Sequence, residues 1–124
     1  MAKIKVIETE TNKLIIAALE KIGCYVWRNN TGVARDGGRY IRYGLKGSSD
    51  IIGVAPDGHF IAVENKTGGK PMSKDQTAFF DRVQDKGGYV YVVESIDDIR
   101  SLADFIKYRI TYRAAHRRLP SEDL

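Results

Sequence analysis

A β-hairpin centred on the turn sequence Ala55-Pro56-Asp57-Gly58 constrains the fold of this chain more than any other feature. Residues 50–54 are mainly apolar and β-branched, and the extended pattern resumes over residues 59–66. Such runs on either side of a short turn containing Pro, Asp and Gly are typical of paired antiparallel strands. The chain therefore has two adjacent strands around which a sheet must be built.

Helical patterns lie on both sides of this hairpin. Apolar residues such as Ile15 and Leu19 recur at helical spacing in the first segment, and Ser73 and Gln76 have the spacing of a capping box in the second. The predicted order is a helix over residues 4–22, a strand at 24–27, a polar loop rich in arginine, a strand at 39–43, the hairpin, a helix from Ser73, a strand at 89–93 and a helix after Ser95. This order predicts an α/β domain with a mixed central β-sheet flanked by helices.

The length of 124 residues suits one domain with one core. We expect the domain to span residues 1–112 and a basic tail to span residues 113–124. The apolar runs are far shorter than the roughly 20 residues that cross a bilayer, and the N-terminus lacks the apolar stretch of a signal peptide. These features predict a cytoplasmic location and no membrane association.

We expect any cofactor to be a metal ion that is bound mainly by carboxylates. Cys24 is the sole cysteine of the sequence, so a cysteine-based zinc site is excluded. The glycines lack the strand-then-helix setting of a dinucleotide loop, so no nucleotide cofactor is expected. His59 at the hairpin turn and His116 in the basic tail are each expected to be surface residues.

Basic residues are unevenly distributed along the chain. Lysine and arginine number 20 against 16 acidic residues, for a formal net charge of +4. Two basic clusters, residues 28–46 and 107–118, flank a more acidic middle. A nucleic-acid partner explains such clusters, because basic side chains neutralise phosphates and release counterions. On charge alone, a solvated basic face explains them equally well.

The residues suited to catalysis lie at the open end of the hairpin. Residues two apart in a strand share a face, so Glu64 and Lys66 project together, and strand pairing places Asp50 near them. Carboxylates are hard donors suited to Mg²⁺ or Mn²⁺, which polarise phosphates and lower the pKa of an attacking water. The pattern predicts phosphodiester hydrolysis, and an ordinary exposed ion pair between Glu64 and Lys66 is the alternative.

Asp50, the hairpin, the Glu64-Asn65-Lys66 triplet and the helix with Gln76 resemble the PD-(D/E)xK nuclease superfamily. The acid of the first helix, the segment Trp27 to Gly32 and the run Gly44-x-x-Gly47-x-x-Asp50 are similar to its virus-type replication-repair nuclease (VRR-NUC) branch, and the resemblance covers about residues 8–94. Ser49 stands where the superfamily name has a proline. The resemblance implies a restriction-endonuclease-like core for the α/β domain.

The resemblance also implies roles for individual residues. Asp50 and Glu64 would be the principal ligands of Mg²⁺ or Mn²⁺, with the backbone carbonyl of Asn65 as a third ligand. Lys66 would position or deprotonate the attacking water and offset charge on the phosphate. Gln76 would lie beside the site and hold a water or the lysine.

The acid contributed by the first helix is either Glu8 or Glu10. At 100° per residue, Glu8 falls about 20° from Ile15 and continues the buried stripe, whereas Glu10 falls on the opposite side. We therefore expect Glu8 to be a catalytic residue and a metal ligand, provided that neither Thr9 nor Thr11 caps the helix.

The implied function is that of a metal-dependent endodeoxyribonuclease leaving 5′-phosphate and 3′-hydroxyl ends. Branched DNA, with four-way (Holliday) junctions first, is the expected substrate, cut by a homodimer in phage or prophage replication or repair. The residues expected to contact DNA are Arg28, Asn30, Arg35, Arg39, Arg42 and Lys46. The alternatives are a flap-directed or nonspecific nuclease of the same fold and a non-catalytic nucleic-acid-binding module.

Overall fold

The computed structural model describes residues 2–116, with side chains from residue 7 onward. The elements of this part of the chain are α1 (Ala2–Lys21), β1 (Tyr25–Arg28), β2 (Gly32–Asp36), β3 (Arg39–Tyr43), β4 (Ile51–Val54), β5 (Phe60–Asn65), α2 (Lys74–Asp85), β6 (Tyr89–Val93) and α3 (Asp97–His116). None of the described helices has an apolar stretch long enough to cross a membrane. The order confirms the predicted α/β class.

The central sheet has four strands in the order β1-β4-β5-β6. β4 is antiparallel to both β1 and β5, and β6 runs parallel to β5 after the crossover through α2. In the predicted hairpin, Val54 pairs with Phe60 and Ile51 pairs with Val63. The sheet is therefore mixed, as in a restriction-endonuclease-like fold.

One face of this sheet is covered by α1 and α3, and the other is partly covered by α2. The first interface buries Ile15 and Leu19 from α1, Ile51, Ile61 and Val63 from β4 and β5, and Leu102 and Ile106 from α3. Each such side chain contributes roughly 1.5–3 kcal/mol on burial. On the opposite face Phe79 and Val83 of α2 are only half-buried, so most of the hydrophobic stabilisation comes from the α1 and α3 side.

The start of α2 confirms the predicted capping box. The Ser73 hydroxyl accepts a hydrogen bond from the backbone N–H of Gln76 at 3.1 Å, and the Gln76 side-chain carbonyl accepts one from the backbone N–H of Ser73 at 2.9 Å. Such a cap typically contributes about 1 kcal/mol. Gln76 is thereby held at a fixed position in the first turn of the helix.

The arginine-rich segment predicted as a polar loop is instead a strand. β2 pairs with β3 in a separate two-stranded sheet, with Asp36 opposite Arg39. Gly37 and Gly38 connect the strands with φ angles of 55° and 81°, which suit a two-residue hairpin turn. The Asp-Gly-Gly sequence was therefore a hairpin signal, and the arginines conceal the strand pattern because both faces of β2 are exposed.

The end of α3 also differs from expectation. The helix continues to His116, past the predicted start of the basic tail. Within this last part, the Arg113 guanidinium donates to the backbone carbonyl of Gly87 at 3.1 Å and contacts the His59 ring. His59 in turn stacks on Tyr89, with ring centroids 5.2 Å apart. His59 is thus half-buried in a tertiary contact rather than free at the surface, and residues 117–124 lie outside the described part of the chain.

Candidate active site

Asp50 and Glu64 face each other across the open end of the hairpin. Ile51 pairs with Val63 in the antiparallel register, so the next pair along the strands is Asp50 and Glu64. Residues directly opposite in an antiparallel pair lie on the same face with close Cβ atoms. The sheet register therefore brings together the two carboxylates that the sequence pattern predicted to converge.

The Asp50 carboxylate is held in place by the backbone of the neighbouring strand. Its Oδ2 accepts a hydrogen bond from the backbone N–H of Asn65 at 2.7 Å. The N–H and carbonyl of one strand residue lie on the same edge. The Asn65 carbonyl thus lies on the edge of β5 that faces Asp50, where an oxygen ligand beside the two carboxylates is needed.

Glu64 is almost fully buried, with 2% of its surface exposed. Its Oε1 accepts a hydrogen bond from Gln76 Nε2 at 3.1 Å and lies 3.8 Å from Lys66 Nζ. Within the described residues, Oε2 is buried and has no hydrogen-bond partner. One oxygen of the carboxylate is thus occupied by protein groups and the other is not.

The surroundings of Glu64 disfavour its ionised form. Burial, reinforced by the negative charge of Asp50, raises the pKa of Glu64 to about 8, although the Lys66 ammonium acts in the opposite direction. A buried carboxylate is favourable only when paired or bound to a metal ion. Oε2, buried and without a hydrogen-bond partner among the described residues, is an oxygen suited to binding a cation.

The donor set fits a small hard cation such as Mg²⁺ or Mn²⁺. The two carboxylates and the Asn65 carbonyl all present oxygen, and Mg²⁺ commonly uses only one or two carboxylates, with water and phosphate oxygens completing its shell. In the described part of the chain, no three histidine, cysteine, aspartate or glutamate residues are grouped as a metal site.

The first helix places Glu8 next to this pair through Asn65. α1 begins before both threonines considered as caps, so Glu8 lies in the helical register and is half-buried, as predicted. Glu10 is exposed and lies 3.6 Å from Lys13. The backbone carbonyl of Glu8 accepts from Asn65 Nδ2 at 3.1 Å. The Glu8 carboxylate itself forms no three-acid cluster with Asp50 and Glu64 among the described side chains.

A buried polar network around Asn65 was missed by the sequence patterns. Its Nδ2 also donates to Asn12 Oδ1 at 2.9 Å, and its Oδ1 accepts from the Thr67 backbone N–H and hydroxyl at 3.0 and 2.7 Å. Asn12 is 3% exposed. Its position on the otherwise apolar stripe of α1 was the available signal, because a buried polar side chain needs a partner. The network fixes the end of β5 at the site.

Asn29 anchors the segment that leads into Asp50. Its backbone N–H donates to the Asp50 carbonyl at 2.7 Å, and its Nδ2 donates to the Ser48 hydroxyl at 2.6 Å and the Ser49 carbonyl at 3.0 Å. Ser49 is fully buried. This anchoring explains why an asparagine lies in the segment that carries part of the family resemblance.

The residues expected to contact DNA are all exposed and lie in segments that flank the site. They are Arg28 at the end of β1, Asn30 after it, Arg35 on β2, Arg39 and Arg42 on β3, and Lys46 in the following loop. Lys46 also lies 3.4 Å from Asp75 at the start of α2. An exposed pair of this kind contributes at most about 1 kcal/mol, so it leaves the Lys46 side chain available to a phosphate.

The VRR-NUC domain model matches residues 8–97, a range that contains Asp50, Glu64, Lys66 and Gln76. The chain belongs to the VRR-NUC family. A VRR-NUC domain is a nuclease domain of the PD-(D/E)xK superfamily, which agrees with the mixed sheet and with the position of the carboxylate pair. Searches of curated proteins and of solved structures found no match. Most of α3 lies beyond the VRR-NUC match, although its Leu102 and Ile106 complete the core.

Proposed function

We propose that this VRR-NUC protein is an endodeoxyribonuclease dependent on Mg²⁺ or Mn²⁺. The observation that supports this most strongly is the half-buried Asp50 opposite the buried Glu64, which has one oxygen without a hydrogen-bond partner among the described residues and a lysine beside the other. An ordinary surface ion pair does not have these properties, since Lys66 is 13% exposed and Glu64 is 2% exposed. The carboxylates therefore have a role that solvated surface charge does not explain.

Asp50, Glu64 and the Asn65 carbonyl would hold the metal ion. When bound, the ion supplies polarisation of the scissile phosphate and a lowered pKa for the attacking water. Glu64 must release its proton before it can act as a ligand, because its pKa of about 8 keeps it largely protonated at neutral pH. Asp50 keeps its position through the hydrogen bond from Asn65.

Gln76 serves the site by orienting Glu64. The sequence predicted that it would lie beside the site and hold a water or the lysine, and this stays a prediction. Its Nε2 donates to Glu64 Oε1 at 3.1 Å. Because its own carbonyl is engaged in the α2 cap, the Gln76 side chain has one orientation in which both contacts are made. This leaves Oε2 of Glu64 as the oxygen that would bind the metal ion.

Lys66 would act on the water and the phosphate. Its ammonium group is close to Glu64 Oε1, so it can hold the attacking water by a hydrogen bond and offset negative charge on the phosphate. The water loses a proton to solvent as its oxygen forms a bond to phosphorus in line with the leaving oxygen, and the P–O3′ bond breaks. The products are a 5′-phosphate and a 3′-hydroxyl, whose proton comes from solvent.

We further propose a homodimer acting on branched DNA, in phage or prophage replication or repair. The sheet face that carries Asp50 continues into an exposed apolar area formed by Tyr25, Trp27 and Val54, where the two aromatic rings lie 5.3 Å apart. Exposed aromatic residues are enriched at protein interfaces. A second copy covering this area would bring two sites to one junction.

Cleavage of a labelled substrate panel tests the proposed activity. Single strands, duplexes, flaps and four-way junctions are incubated with Mg²⁺, Mn²⁺ or EDTA, and the products are sized on denaturing gels. We expect metal-dependent cuts, with the junction cut fastest. Equal rates on every substrate would indicate a nonspecific nuclease, and a preference for flaps would indicate a flap-directed one. Binding without cleavage under all conditions would indicate a non-catalytic module and contradict the proposal.

A further inference from the structure

The two strands β2 and β3 form a ribbon, residues 32–43, that is separate from the central sheet. Each strand has five residues, so the ribbon is about 17 Å long. Every side chain on it from Val33 to Tyr43 is exposed. A ribbon with both faces exposed contributes little to the hydrophobic core.

The pairing register divides the ribbon side chains into two faces. Val33 is opposite Arg42 and Arg35 is opposite Tyr40, so these four side chains share what we call the arginine face. The Arg35 guanidinium lies over the Tyr40 ring, 5.4 Å from its centroid, which confirms that these two side chains are on one side. The opposite face consists of Gly32, Ala34, Asp36, Arg39, Ile41 and Tyr43.

The two faces differ in charge. The arginine face has two cations and no acid. On the opposite face Arg39 is directly across from Asp36, so one cation is offset by one anion, and the remaining large side chains, Ile41 and Tyr43, are apolar or aromatic. The register thus separates Arg39 from Arg35 and Arg42, which the linear sequence treats as equivalent.

The root of the ribbon is attached to the segment that ends at Asp50. Asn29, before β2, is hydrogen-bonded to Ser48, Ser49 and Asp50. Gly44, directly after β3, has a φ of 73°, and a Cβ there would lie 2.8 Å from the Asn30 carbonyl. The two strands therefore leave and return at one point beside the carboxylate pair.

We propose that the arginine face binds the phosphate backbone of double-stranded DNA, with Arg35 and Arg42 each contacting a phosphate and Tyr40 orienting the Arg35 guanidinium. A two-stranded β-ribbon has dimensions that fit a DNA groove, and arginine binds phosphate oxygens in a bidentate way. Because the ribbon root is fixed beside Asp50, a duplex bound by the arginine face lies next to the site. This inference rests on the proposed nuclease function and specifies how its substrate is held.

Duplex binding in EDTA tests the inference, because cleavage is blocked and binding alone is measured. Fluorescence anisotropy with a labelled duplex is recorded between 50 and 200 mM KCl for the unaltered protein, for Arg35→Gln, Arg42→Gln and their double variant, for Arg39→Gln on the opposite face, and for the control Arg100→Gln, which removes an exposed cation from α3. Loss of one phosphate contact lowers the slope of log affinity against log salt by about 1. We expect that loss in each single variant of the arginine face, about twice that loss in the double variant, a smaller loss in Arg39→Gln because Asp36 lies opposite Arg39, and an unchanged slope in Arg100→Gln.

Lysine substitutions distinguish the effect of losing a positive charge from the effect of losing the ribbon structure. Arg35→Lys and Arg42→Lys keep one positive charge each, so we expect them to keep most of the slope, whereas a loss of ribbon structure would lower it in both sets. Equal losses at Arg39, Arg35 and Arg42, or no duplex binding by the unaltered protein at 50 mM KCl, would overturn the inference.

DNA cleavage by the unaltered protein is measured separately in Mg²⁺ and tests the nuclease proposal. One outcome is that Arg35→Gln and Arg42→Gln lower the salt slope more than Arg39→Gln does, but no metal-dependent cleavage occurs. The arginine face then remains a DNA-binding surface and the nuclease proposal fails. If cleavage occurs but variants on the two ribbon faces lower the salt slope equally, the nuclease proposal stands and this inference fails.

Discussion

The Asp50 carboxylate crosses from its own strand to accept a hydrogen bond from the backbone N–H of Asn65, at 2.7 Å. This bond ties the acid that precedes β4 to the end of β5. The same Asn65 is held through its side chain by Asn12 and Thr67, so Asp50 is positioned by a network that reaches into α1. Such rigid support is what a metal site needs to hold its ligands in a defined geometry.

Replacement of Lys66 by Met is expected to reduce the cleavage rate at least 100-fold, because the proposed task of the ammonium group lies in the chemical step. Mn²⁺ affinity should change much less, since Lys66 is not a ligand. Single-turnover cleavage measures the first effect, and calorimetric titration with Mn²⁺ measures the second. Loss of Mn²⁺ binding in Lys66→Met together with retention in Glu64→Gln would show that the two roles are wrongly assigned.

Metal affinity is expected to rise with pH up to about 8. Glu64 has a raised pKa of about 8 in the metal-free protein, so a ligand proton must be displaced at lower pH. The expected slope is about tenfold in affinity per pH unit below that pKa. Titration with Mn²⁺ at pH 6, 7 and 8, in buffers of different ionisation enthalpy, measures the slope and the proton released. A pH-independent affinity would contradict this.

The same pKa predicts the pH dependence of folding stability without metal. The unfolded chain loses the Glu64 proton near the ordinary value of 4.5, whereas the folded protein keeps it to about 8. The stability due to this group is therefore present at low pH and lost as pH rises between those values. Urea unfolding in EDTA at several pH values should show this loss in the unaltered protein and a smaller one in Glu64→Gln.

The first helix offers a matched pair of variants. Glu8→Gln should lower cleavage strongly, because Glu8 is half-buried on the stripe that meets Asn65. Glu10→Gln should have little effect, because Glu10 is exposed and lies 3.6 Å from the exposed Lys13. Initial rates at saturating Mn²⁺ compare the two. The reverse order of activities would show that the acid is Glu10.

How much of this could be predicted from the sequence depends on the distance over which each feature is determined. The hairpin, the α2 cap and the buried stripe of α1 follow from local spacing, and the structure confirms them. The opposition of Asp50 and Glu64 followed from strand pairing through one short turn.

Features that depend on distant contacts were not predicted. The contact between His59 and Arg113 joins residues 54 positions apart, and no local pattern indicates it. The polar network of Asn12, Asn65 and Thr67 needs α1 and β5 to be packed before its partners can be known. The position of the Glu8 carboxylate depends likewise on how α1 sits against the sheet.

The homodimer proposal predicts a sedimentation mass of twice 13.9 kDa at micromolar concentration. Trp27→Ala should shift the protein toward the monomer, because Trp27 lies in the exposed apolar area on the sheet. Tyr108→Ala, which removes an exposed aromatic ring from α3, is the control and should leave the mass unchanged. A monomeric unaltered protein that binds one junction would refute the dimer but not the nuclease.

Asp50 and Glu64 are proposed to form a metal-dependent nuclease site. The most direct measurement is cleavage of labelled four-way junction and duplex in Mn²⁺ by the unaltered protein, Asp50→Asn, Glu64→Gln and the control Asp85→Asn, which changes an exposed acid on α2. We predict that both site variants lose at least 100-fold in rate while binding DNA in EDTA as the unaltered protein does, and that Asp85→Asn keeps full activity. Full cleavage by Asp50→Asn or Glu64→Gln would contradict the claim.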